Sequence, residues 1–263
     1  MNRCAIPTIV AAGHVPHVLH RDARAWPQSN CYVDLWIELL HALGLEPHAM
    51  LSHTLAVDFE GDQWTFFKPR SADLWQLYGI DVDELQIWQN FAGHVIAQVS
   101  RGRVVLAEVD GYHLPDTAGT SYRTEHVKTT IGIERIDVER RRMGYFHNGG
   151  YYLVEGEDYA ALLTWPQALP PYVELVKIER SRGLPEGELK RRARSLLLRD
   201  LARRPSHNPL TAHVAHFGDH ARDLAAGDLA GFHLYAFATL RQCGSAFELG
   251  ASFLRWLEPQ ALG

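Results

Sequence analysis

The stretch Trp26-Pro27-Gln28-Ser29-Asn30-Cys31-Tyr32-Val33-Asp34-Leu35-Trp36 decides how the rest of the chain is read. Ser29 and Asn30 are strong N-caps. Leu35, Leu39, Leu40 and Leu43 then recur at helical spacing until Gly44 stops the run and Pro47 follows it. The pattern predicts a helix beginning at Cys31, with the thiol in its first turn. There the unpaired backbone N–H groups and the helix dipole favour a thiolate, the nucleophilic form. The competing reading is that Cys31 is a small buried hydrophobe, as most free cysteines are. Gln28 and Asn30 are the side chains placed to donate an N–H to a developing oxyanion.

Outward from this helix, residues 1 to about 30 read as an irregular lead-in rich in His, Pro and Arg. A short strand is predicted over Gln63 to Lys68. A second helix is predicted over Val82 to Val99, with Asp81 and Glu84 as a capping box and Leu85, Trp88, Phe91, Val95 and Val99 as its apolar stripe. The period then becomes strand-like over Arg103 to Val109, Val127 to Ile136, Arg142 to Phe146 and Tyr151 to Glu155. After Pro170-Pro171, helical patterns run to the end, with Asn208-Pro209 as a cap and first-turn proline. The expected class is α+β: N-terminal helices packed on an antiparallel sheet over residues 1–172, and an all-helical part over 173–263.

Composition narrows the function. Hydrophobic residues make up 46% and charged residues 22%, as in a soluble globular protein. No apolar run approaches the ~20 residues needed to cross a bilayer, and the N-terminus lacks a secretory pattern. A net charge of -5, from 26 basic and 31 acidic residues, argues against nucleic-acid binding. The 3 Cys, at 4, 31 and 243, have no paired spacing, so a reduced, cytoplasmic protein is expected. His14, His17 and His20, and also His213, His216 and His220, have spacings that zinc sites use. No Cys accompanies either cluster, capped surface helices often carry His, and no metal is expected.

A nucleophilic thiol needs a base and a group to orient it. His126 opens the strand from Val127, and Asn148 follows the strand ending at Phe146, where it can hold the imidazole. His113 and His147 are rival bases. Cys on a helix, His at a strand start and Asn on the next strand form the papain-like order.

Five blocks carry a resemblance. They are Asn30-Cys31-Tyr32-Val33-Asp34-Leu35-Trp36, Asp58-Phe59-Glu60-Gly61-Asp62-Gln63, Leu114-Pro115-Asp116-Thr117-Ala118-Gly119, Glu125-His126-Val127-Lys128-Thr129-Thr130 and Tyr145-Phe146-His147-Asn148-Gly149-Gly150. They resemble the uncharacterised bacterial family DUF1839, from about residue 24 through the C-terminal helices. More distantly, the layout is similar to the N-terminal domain of the butirosin-biosynthesis acyltransferases and to bacteriocin-processing cysteine peptidases. The phrase Val105-Leu106-Ala107-Glu108-Val109-Asp110-Gly111-Tyr112-His113-Leu114-Pro115 fits the butirosin type best.

The resemblance implies a papain-like fold with Cys31 as nucleophile, His126 as base and Asn148 in a third position where the distant relatives more often carry Asp. It also implies thioester chemistry. Butirosin-type enzymes take an acyl group from the phosphopantetheine arm of a carrier protein and pass it to an amine. An acyl or aminoacyl transferase of this kind is the expected function, with an acyl or peptidyl carrier protein and a small amine as partners and no cofactor of its own. A cysteine hydrolase on the same triad, or a non-catalytic binding module, are the alternatives. Arg140, Arg141 and Arg142 at a hairpin turn, and Lys190, Arg191 and Arg192 in the basic stretch Arg180 to Arg204, are candidates to meet a phosphate or an acidic carrier. The basic stretch also reads simply as a solvated helix face.

Overall fold

The computed structural model describes residues 2–21, 24–88, 90–164 and 171–258. Its centre is the helix begun by Cys31. The lead-in forms strand β1 (Asn2–Cys4) and one turn of helix α1 (Val18–Arg21), and α2 spans Cys31–Ala42. Every α2 residue from Tyr32 to Leu40 is buried, because the helix is enclosed on all sides. A 3-10 segment (Pro47–Ala56) and α3 (Ser71–Tyr78) follow. The remaining strands are β2 (Asp81–Glu84), β3 (Val104–Asp110), β4 (Lys128–Asp137), β5 (Arg142–His147), β6 (Gly150–Glu155) and β7 (Val173–Lys177). Helices α4 (Phe91–Val99) and α5 (Gly156–Leu163) lie among them. The C-terminal part holds α6 (Glu186–Ala202), α7 (Pro209–Ala226), α8 (Leu229–Tyr235), a π-helical turn (Ala236–Arg241) and α9 (Gln242–Leu257).

The protein is α+β. Its 7-stranded sheet has the order β2-β7-β3-β4-β5-β6, with β1 on β4, and each of these pairings is antiparallel. Side-chain alternation divides the sheet into two faces. One face carries Val104, Leu106, Gly132 and Phe146 and packs on α2; a Cβ on Gly132 would stand 3.0 Å from Leu35 Cδ1 and 3.2 Å from Leu106 Cδ2. The other carries Val105, Ala107, Ile131, Ile133 and Tyr145 under α4 and α5. Helices α6 and α9 then close over the 3-10 segment and complete the first core with Leu189, Ala193, Leu196, Leu249 and Phe253. Buried Asp200 of α6 pins this layer. It accepts from Ser52 Oγ (2.7 Å) and Arg70 Nη1 (2.5 Å), and Arg199 beside it holds Asp73.

Three expectations change. The predicted helix over Val82 to Val99 is a strand, a linker and a shorter helix. Asp81 and Glu84 form no capping box, since both lie in β2; Asp81 and Asp83 flank Lys177 of the paired strand β7, which donates to both. Helix α4 starts after Asn90, whose Oδ1 accepts from the N–H of Gly93 (2.7 Å), and Trp88 is 76% exposed. The expected strand over Gln63 to Lys68 reduces to one bridge, Phe59 to Trp64. The sheet also runs past residue 172, since β7 pairs with both β2 and β3. The break between sheet and helical part therefore falls after Lys177. Among the described residues no helix is long and apolar enough to cross a membrane.

Candidate functional site at the start of helix α2

Residues 29 and 30 fix the thiol helix. Asn30 is extended (φ -140°, ψ 153°); its Oδ1 accepts from the N–H of Val33 (2.9 Å) and its Nδ2 donates to the carbonyl of Phe67 (3.1 Å). The Ser29 N–H and Oγ both donate to Asp34, at 2.8 and 2.6 Å. One N–H of the Asn30 amide is thus committed to the Phe67 carbonyl, and its second N–H makes no hydrogen bond among the described residues. Gln28 is exposed and has no hydrogen-bond partner among the described residues. Further donors at this spot are backbone N–H groups of the first helical turn, which have no intrahelical acceptor. Cys31 itself is partly exposed and free.

A cation reaches the same turn from the other end of the chain. Arg241 closes the π-helical turn, donates through Nε to the Ser29 carbonyl (2.8 Å), and lies 4.0 Å over the Phe237 ring. Burial lowers its pKa, while the charges of Asp34 and Cys31 act to raise it. The lead-in to the thiol helix is clamped from the same side: Glu248 of α9 accepts the N–H groups of Ala25 and Trp26, at 3.1 and 3.0 Å. Nothing local in the sequence marks Arg241.

Beside Cys31, the Tyr32 hydroxyl donates to Glu174 Oε2 (2.5 Å) and the Tyr172 hydroxyl to Glu174 Oε1 (2.7 Å). Lys68 lies 5.1 Å over the Tyr32 ring, 5.8 Å over the Tyr172 ring and 3.9 Å from the same carboxylate. Burial, then the Glu174 charge, pushes the Tyr32 phenol well up, so it stays a donor. This group was not anticipated from the sequence, because Glu174 belongs to the unexpected strand β7.

His126 stands just before β4, its side chain 74% exposed, with Nδ1 2.6 Å from Asp110 Oδ2. Its ring stacks on Tyr112, centroids 4.6 Å apart and 13° from parallel. Slight burial would raise the Asp110 pKa. The bonds from His126 and from the Tyr112 N–H outweigh this and hold it below the usual carboxylate range. Along β3, Asp110 is in step with Leu106, so the dyad belongs to the face that carries α2. Among the described residues, no hydrogen bond or ion pair joins Cys31 to His126.

The rivals lie elsewhere. His147 is buried on the opposite face, with Nδ1 2.6 Å from Asp116 and Nε2 2.8 Å from Thr129 Oγ1. His113 lies 3.7 Å from Asp158 of α5. Asn148 sits in the β5–β6 turn at φ 46° and, among the described residues, makes no hydrogen bond to His126. The group that orients His126 is Asp110, present in the quoted sequence but without a spacing that assigns it that task.

The basic candidates fall away from Cys31. Arg140 and Arg141 occupy the β4–β5 turn and Arg142 opens β5, at the far end of a strand about 30 Å long from His126. Arg142 pairs with Glu155 (2.8 Å). On α6, Lys190 pairs with Glu186 (2.9 Å), and Arg191 and Arg192 pair with Glu188. Two carboxylates of the same helix thus partly offset these three cations.

The described fold and site define an α+β protein with a thiol helix enclosed between a sheet and a helical C-terminal layer. Residues 15–178 match the DUF1839 N-terminal domain and residues 186–263 the DUF1839 C-terminal domain, so the chain belongs to the DUF1839 family. The two matches part between β7 and α6. No curated protein matches the chain.

Proposed function

We propose that the protein is a carrier-protein-dependent acyl or aminoacyl transferase of papain-like type, using Cys31 as nucleophile and a His126–Asp110 dyad as base. The observation that carries this reading is that the thiol helix and the oriented His126 share one face of the sheet. Cys31 attacks the carbonyl of the phosphopantetheine thioester, the carbon–sulfur bond to the arm breaks, and the departing thiolate takes up a proton. An amine then attacks the acyl-Cys31, gives its proton to His126, and the Cys31 thiolate leaves. Catalytic hydrogen bonds often tighten only when substrate is present, so an unliganded gap between thiol and imidazole is compatible with this chemistry. First-turn N–H groups and Arg241 supply positive potential where the oxyanion forms.

The exposed apolar residues of the C-terminal helices favour a macromolecular donor. Val214, Phe217, Phe232, Leu234 and Phe237 are 45 to 71% exposed, and Phe237 touches the arginine beside Cys31. The test is intact-protein mass after mixing with aminoacyl-loaded carrier proteins. An added acyl mass on the wild type, absent from Cys31→Ala, supports transfer through a thioester. Acyl loss from the carrier without an amide product points to hydrolysis. No adduct and no acyl loss across a broad panel overturns the reading.

A further inference from the structure

At the other end of α2, a second cluster of ligating side chains has assembled. His17 from the lead-in, and Glu46 and His48 from the link into the 3-10 segment, place one donor atom each within 4.8 Å of one another. His41, in the last turn of α2, stands beside them, with its ring centroid 5.2 Å from that of His17. The His17 and His48 centroids are 5.4 Å apart.

The cluster is held in place by its own contacts. His17 is 8% exposed, and its Nδ1 accepts from the N–H of Leu19 (3.2 Å); coordination through Nε2 moves the ring proton to Nδ1 and releases that bond. Glu46 Oε1 holds both the main-chain N–H (3.0 Å) and Nδ1 (2.7 Å) of His48. His48 is also stacked on Trp256 of α9, centroids 6.2 Å apart.

We propose that His17, Glu46 and His48 form a binding site for a divalent transition metal of the zinc type, with His41 or water completing the shell. Two imidazoles and a carboxylate are a donor set that zinc takes, at about 2.0–2.2 Å per bond, so each donor moves inward by about 1 Å on binding. Glu46 and His48 are each partly exposed, which opens the cluster to solvent. The site lies about 16 Å along α2 from Cys31, so it stands independently of the transferase reading. Its role is structural: it ties the lead-in to the α2 exit under Trp256 of the C-terminal layer.

The test uses the full chain, stripped with a chelator and titrated with Zn2+ alone against a colorimetric competitor, with X-ray absorption on the loaded sample. One Zn2+ per chain with imidazole ligands is expected. His48→Ala and Glu46→Gln, at half-buried positions, should each weaken binding about tenfold or more, whereas His220→Ala on α7 should not. His17→Ala serves as a third variant if it folds. Thermal unfolding of the stripped variants confirms that the fold is kept. Binding no tighter than in His48→Ala, or binding lost in His220→Ala instead, overturns the proposal.

Discussion

Arg241 donates to the carbonyl of Ser29 across 2.8 Å, two residues before Cys31, although the two lie at opposite ends of the sequence. The C-terminal layer therefore reaches the thiol helix directly. Replacing Arg241 with Met removes the cation and leaves the Ser29 carbonyl without that donor, a loss of about 1–3 kcal/mol. The rate of Cys31 alkylation by a neutral reagent should fall several-fold in Arg241→Met and recover partly in Arg241→Lys. An unchanged rate would remove Arg241 from the site. Gly244→Ala should act similarly at a distance, because its Cβ would overlap the Trp26 indole that the α9 clamp holds in place.

Asp110, 2.6 Å from His126 Nδ1, takes the orienting place in the proposed mechanism, and Asn148 does not. Asp110→Asn should lower acyl transfer roughly 10- to 100-fold and displace its pH profile, whereas Asn148→Ala should change the rate little. The comparison needs single-turnover rates across pH. Equal effects from the two variants would contradict the assignment.

Stability should depend on pH through His20. Burial alone would lower its pKa, but Asp34 and Glu38 (2.5 Å from Nδ1) outweigh this and raise it to about 9. A group raised in the folded state stabilises fully below its unfolded value, near 6.5. The contribution is lost as pH rises through about 9 and amounts to about 3 kcal/mol. Denaturant midpoints should therefore decline between pH 6.5 and 9 in the wild type and stay flatter in His20→Gln, itself less stable throughout.

If the apolar side of α7 and α8 receives the carrier protein, Leu234→Asp should slow transfer from a loaded carrier and leave reaction with a short free thioester unchanged. Leu234 is 71% exposed, so the substitution should cost little stability. Slowing of both reactions equally would place the effect on the fold instead.

Much of the fold was legible where periodicity and capping agreed. The Asn30 cap, the four strands β3 to β6 and the helical C-terminal part all follow from local pattern. The reading failed at Asp81 to Glu84, where an acidic capping box and a strand edge look alike and the deciding partner, Lys177, is 94 residues away from Asp83. The site divides in the same way. Cys31 announces itself through its cap, but Asp110, Glu174 and Arg241 act only through contacts made across the sheet or between layers. The histidines mislead by spacing: His14 and His20 turn to Glu38, while His17 between them joins Glu46 and His48.

Strand β7 enters the sheet between β2 and β3, both of which precede it by more than sixty residues. During synthesis, then, β2 has no neighbour to pair with, and β3 keeps one ladder open until Lys177 has emerged. An open edge of this kind recruits other chains. Folding of the sheet is consequently a late event with a high demand for distant contacts, and should be slow. A fragment ending before Val173 would expose the Val104–Ala107 edge and is expected to aggregate, whereas one ending after Lys177 carries a closed ladder.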